Sequence, residues 1–189
     1  MRYLLWLPVL ALLSISPDDA VMGATVIGRD DARQCYFATL SDLDAANYRQ
    51  RLADCDRAIA AAMDDSYRRA GLLVNRSDIE LKMQDYQGAL ADADASIALQ
   101  PELAAAYLNR GAGLIGLKQY RQAIPALEKA IMLNNGEKLQ IAYFNRGLAH
   151  DYLGDLKDAY FDYKRASEID PNFEPAKIQL RRFTVTTAP

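Results

Sequence analysis

The sequence predicts an all-α fold of stacked helix pairs, and three observations carry that prediction. The phrase Tyr107-Leu108-Asn109-Arg110-Gly111 returns 36 residues later as Tyr143-Phe144-Asn145-Arg146-Gly147. A weaker copy, Leu73-Val74-Asn75-Arg76-Ser77, stands 34 residues earlier. Self-similarity with a period of this size marks a helical repeat array. Ala-rich runs with helical periodicity fill most of the remaining chain, and only short β-branched clusters interrupt them. At 189 residues the chain is long enough for one well-cored domain. Its 51% apolar and 25% charged residues are ordinary for a soluble globular protein. A net charge of −3 gives no basic footprint, so nucleic acid is not an expected partner.

Taken in order, the first residues read as an export leader. Arg2 precedes an apolar run from Leu4 to Leu13, broken by Pro8, and Ser14-Ile15-Ser16-Pro17 follows. A basic residue ahead of about ten apolar ones matches a secretory signal peptide and is short for a membrane span. The leader is assigned to residues 1–24, with cuts after Gly23 or Ala24 as candidates and an uncleaved anchor as the alternative. Export places the protein in the periplasm or outside the cell, with membrane contact only if the leader is retained. Cys35 and Cys55 fit that compartment. They can close a loop of about 20 residues, worth on the order of 3 kcal/mol. The competing reading makes Cys55 a small core residue and Cys35 a separate thiol; the leader favours the bridge.

Residues 25–64 are expected to be a linker followed by an N-terminal capping helix. Thr25-Val26-Ile27 is a candidate extended piece, and Ser41 or Asp42 can cap a helix reaching about Met63. Leu52-Ala53-Asp54-Cys55-Asp56 resembles Leu90-Ala91-Asp92-Ala93-Asp94, which makes this helix the second half of a degenerate repeat. From 65 to 171 three full units are expected, with helices at 66–82, 86–99, 103–117, 120–133, 139–153 and 156–169. Gln84-Asp85, Lys118-Gln119 and Gly154-Asp155 mark the turns within pairs. Gln100-Pro101, Asn134-Asn135-Gly136 and Asp170-Pro171 mark the breaks between them. The period lengthens by two residues at Asn134 to Lys138, and Pro125 should bend the helix that contains it. Residues 172–183 should form a capping helix with Ile178, Leu180 and Phe183 available for packing, ahead of a frayed tail at 184–189.

These units resemble the tetratricopeptide repeat family. The third supplies Tyr107, Arg110-Gly111, Leu114, Ala123 and Leu127, with Asn135 where the family has Pro. The fourth supplies Tyr143, Arg146-Gly147, His150, Ala159, Tyr163 and Pro171; the second, Leu73, Arg76-Ser77, Glu80, Ala89, Ala93 and Pro101. The resemblance implies a short right-handed α-solenoid in which Gly111, Gly147, Ala89, Ala123 and Ala159 allow close helix approach. It also implies a concave groove lined by first-helix residues. On this chain these include Val74, Asn75 and Asp78 in the second unit and Leu108, Asn109 and Ala112 in the third. The fourth contributes Phe144, Asn145, Leu148, Asp151 and Tyr152.

Stacked, these give an apolar row, Val74–Leu108–Phe144, beside an amide row, Asn75–Asn109–Asn145. An Asn amide donates and accepts together, as a peptide backbone requires of its partner; the alternative is that each Asn bonds locally. Family members that clamp acidic carboxy-terminal tails use groove Lys and Arg. The matching positions here hold Gly71, Ala105, Ile141, Val74, Leu108 and Phe144, which argues against that mode. His150, the one histidine, falls at a packed aromatic position and is expected in the core with its ring nitrogen satisfied. Asp92, Asp94, Asp155, Asp158 and Asp162 read as solvated surface charge. With no metal-ligand spacing, phosphate-binding glycine loop or nucleophile motif, no enzyme activity, metal, cofactor or small-molecule substrate is expected. The chain reads as an exported interaction module that holds a protein segment or peptide in its groove. The alternative is a structural or self-associating subunit whose groove its own chain fills.

Overall fold

A computed structural model describes residues 30–40, 45–134, 136 and 138–183. The leader, the Thr25-Val26-Ile27 piece, the Ser41 or Asp42 cap and the tail fall outside the described residues. Nine α-helices are described: α1 (Asp30–Leu40), α2 (Ala45–Ala61), α3 (Ser66–Lys82), α4 (Tyr86–Leu99), α5 (Ala104–Gly116), α6 (Tyr120–Leu133), α7 (Leu139–Leu153), α8 (Leu156–Ile169) and α9 (Glu174–Leu180). They pack as four consecutive antiparallel pairs, with α9 against α8. The odd-numbered helices also touch in series, α1 to α3 to α5 to α7, whereas among the described residues no comparable contact joins one even-numbered helix to the next. The odd helices therefore form an inner layer and the even helices an outer one.

The local chemistry of the turns explains why α3 to α8 fall within a residue of their expected limits. Gln84, Lys118 and Gly154 all take positive φ (62°, 61° and 85°) at the same place in pairs two, three and four. Each lets the following amide reach back: Asp85 to Glu80 O, Gln119 to Leu114 O and Asp155 to His150 O, at 2.9, 2.8 and 2.9 Å. Asp65 caps α3 by accepting from the Arg68 amide, and Asp85 caps α4 by accepting from the Gly88 amide. α6 continues through Pro125.

Two departures stand out. Residues 30–40, expected as linker, are helix α1, and it pairs with α2 to make a complete first unit rather than half of one. Ala32, Cys35 and Ala38 recur on one face and are buried there, so a helical stripe was present beneath the charged Arg29-Asp30-Asp31. Cys35 and Cys55, both fully buried, are joined as a disulfide between the two helices. At the other end α9 is only seven residues long. It buries Ala176 but leaves Ile178 half exposed, contrary to expectation. Phe183, just beyond it, packs on Tyr160 and Tyr163.

Small residues set the spacing within pairs. A Cβ on Gly111 would lie 2.5 Å from Leu127 Cγ, and one on Gly147 would lie 2.9 Å from the Tyr163 ring. Ser77 holds the same place in pair two and donates to Ala89 O at 2.9 Å. Ala89, Ala123 and Ala159 are completely buried opposite them.

Candidate functional site

The inner layer is where the sequence places a groove, and the structure divides the proposed lining residues into two groups. Val74 and Leu108 are 6% exposed, and Asn75 and Asn109 are 4% exposed. These four lie beneath the surface, because successive inner helices close over one another. Asn109 Nδ2 donates to Val74 O at 3.1 Å, tying α5 to α3. That bond is the local role weighed against a peptide-holding ladder, and for Asn109 it is the one observed. Asn75 Nδ2 is buried without a hydrogen-bond partner among the described residues. Phe144 is half-buried, with its ring 5.4 Å from Phe173 and 5.6 Å from Tyr163.

The second group stays accessible. Asp78, Ala112, Asn145 and Leu148 are partly exposed, and Tyr152 is exposed, stacked on Tyr120 at 4.5 Å with the planes 11° apart. Asn145 makes no counterpart of the Asn109 bond among the described residues and is partly exposed. Asp78 receives Lys138 Nζ at 3.3 Å, an ion pair spanning 60 residues from α3 to the entry of α7. Lys138, just ahead of α7, thus reaches across to α3. Asp151 is mostly covered: it accepts from the Tyr163 hydroxyl at 3.1 Å and from Arg182 at 2.6 Å.

The main feature that sequence reasoning missed is a recurring ion pair between layers. Arg76 grips Asp92 through two bonds of 2.6 Å, and Arg146 grips Asp162 at 2.9 and 2.7 Å. Asp92 and Asp162 are 6% and 5% exposed, so neither is the solvated charge expected. The carboxylate bonds hold both guanidinium groups further above their ordinary pKa. Each Arg also faces the preceding pair: Arg76 meets Asp56, Arg110 meets Asp94 and Arg146 meets Glu128. The third unit lacks the first partner, because Ala126 stands where Asp92 and Asp162 stand in their units. The 16-residue spacing of Arg76–Asp92 and Arg146–Asp162 was the available signal.

His150 is part-buried beside this pair in the fourth unit. Its Nδ1 is buried without a hydrogen bond, and the nearest acid, Asp155, is 3.6 Å away. The expected satisfied nitrogen is therefore not found. An open cavity of about 320 Å³ on the outer side is lined by Glu128, Arg146, His150, Asp158, Phe161 and Asp162. Among the described residues no group of three or more His, Cys, Asp or Glu is placed to hold a metal, and no helix is long and apolar enough to cross a membrane.

Comparison with known proteins bears on the same repeats. Tetratricopeptide repeat models match residues 104–136 and 141–173. The SGT1 homolog of Oryza sativa subsp. japonica is 33% identical over 105 residues, covering 53% of this chain and 28% of the relative. The chain spans less than a third of the length of the curated relatives it matches. Among solved structures, the first repeat domain of Spaghetti (RPAP3), bound to the HSP90 peptide SRMEEVD, aligns with a TM-score of 0.57 and 27% identity. That match covers 61% of this chain and 90% of the other. MamA from Desulfovibrio magneticus RS-1 aligns with a TM-score of 0.62 over 80% of this chain and 82% of its own, at 23% identity.

Proposed function

Because this chain belongs to the tetratricopeptide repeat family, we propose that it is a non-enzymatic interaction module that takes a protein segment along the inner face of α3, α5 and α7. The observation that carries the reading is the accessible strip of Ala112, Asn145, Leu148 and Tyr152. It offers one amide able to donate and accept beside small and apolar contacts. The HSP90 peptide seated on the Spaghetti domain supports peptide binding by a related array. An acidic tail of that kind is not the ligand proposed here, since Gly71, Ala105 and Ile141 stand at clamp positions.

The leader at residues 1–24 and the buried Cys35–Cys55 bridge support an exported protein. Mass analysis finding residues 1–24 intact would move it to a membrane-tethered role. A second reading, a structural or self-associating subunit, is favoured by the exposed Leu156, Phe161 and Ile178 near the last pair.

The test is a photo-crosslinking residue placed at Leu148 or Tyr152 in the native host. A discrete adduct with one partner segment, lost on Asn145→Ala, is the expected result. Adducts only between copies of this chain would favour the self-associating reading, and no adduct at either position would sink both.

A further inference from the structure

One half-buried acid lies apart from the accessible inner-face strip. Glu80, in the last turn of α3, occupies the position held by Leu114 in the third unit and by His150 in the fourth. Leu114 is core, so this place lies between the two helices of its pair. Glu80 Oε2 is buried and accepts no hydrogen bond. The other half of its carboxyl fills space that exists because residue 88 is glycine. A Cβ there would lie 2.9 Å from Glu80 Oε1, and also 2.9 Å from Asp85 Oδ2.

The surroundings are acidic on each helix that faces it. α4 contributes Asp85, fixed as the cap of its own helix, and Asp92; α2 contributes Asp56. On α3 itself the nearby cation is Arg76, and it is already committed to Asp92 and Asp56. An ionised Glu80 in this niche would be partly desolvated, with Oε2 unpartnered and like charges beside it, whereas the protonated acid carries a donor to offer its neighbours.

We propose that Glu80 is a protonation latch on the second helix pair: the seated neutral carboxyl holds the α3–α4 turn closed, and loss of its proton drives the turn open. Burial, with Asp92 next in size, raises the pKa of this group to about 8. The sign follows from linkage. The folded value lies above the ordinary 4.5, so the stability it contributes is complete below about pH 4.5 and is lost as pH rises through about 8. The latch therefore releases on the alkaline side of neutrality, in a unit whose first helix forms part of the inner face.

The experiment is a carbon-13 titration of the Glu80 carboxyl in the full chain, with amide exchange of α3 and α4 followed from pH 6 to 9. A midpoint near pH 8 is expected, with exchange at the α3–α4 turn gaining about tenfold beyond the intrinsic rate change. Glu80→Gln should abolish that gain, and Glu80→Leu, which copies the third unit, provides a second variant that cannot titrate. A midpoint near the ordinary 4.5, or the same gain in both variants, would overturn the latch.

Discussion

The second and fourth helix pairs are built differently from the third, although all three carry a version of one repeated phrase. Pairs two and four join their layers with a part-buried Arg–Asp pair and keep a titratable group, Glu80 or His150, beside it. The third has Ala126 and Leu114 at those places and closes by fitting Leu127 against bare Gly111. The same interface can thus be held by an ion pair or by shape alone. The consequences of disturbing it differ accordingly.

The largest effect is expected where charge holds the layers together. Arg146→Ala strands Asp162 in a nearly buried position, and urea denaturation should record a loss of about 3 kcal/mol. Arg110→Ala removes only a partly exposed contact to Asp94 and should cost no more than about 1 kcal/mol. Equal losses would erase the distinction between the pairs. Shape should dominate in the third unit instead. Gly111→Ala drives a methyl into Leu127 and should cost about 2 kcal/mol. Its double variant with Leu127→Ala should be less unstable than the sum of the two single changes. Strict additivity would mean that the contact is not what closes this pair.

The smallest effect concerns the turns. Gln84 and Lys118 hold the left-handed conformation that Gly154 adopts without a side-chain penalty. Gln84→Gly or Lys118→Gly should each gain up to about 1 kcal/mol in the same denaturation assay. A loss would show that the side chain does more than occupy the turn.

Six helices were legible because their ends are written in short-range chemistry: a left-handed residue, a capping acid, a proline after the break. The lining of the inner face was less so. Periodicity identifies which side of a helix carries Val74, Asn75, Leu108 and Asn109, but not how far the next helix closes over that side. The Asn109 bond to Val74 O is a property of stacking. Asp92 and Asp162 were misread for a related reason, since their partners lie on another helix, at a distance unrelated to a helical turn. Comparing the three units position by position, with Ala126 as the exception, was the reading that would have found them. α1 was missed because Ala32, Cys35 and Ala38 make a thin apolar stripe with no repeat phrase to announce it.

The Cys35–Cys55 bridge gives the array a polarity that its repeats lack. Units in such a stack are supported by their neighbours, so separation begins at a terminus and travels inward. Among the described residues the first pair is fastened covalently, while the last helix is seven residues long and is followed by Phe183, which rests on Tyr160 and Tyr163. Between these two described ends, the α8–α9 contact is therefore expected to part before the bridged α1–α2 pair. A pull, a protease or a chaperone would meet a molecule that opens like a zip with one end sewn shut.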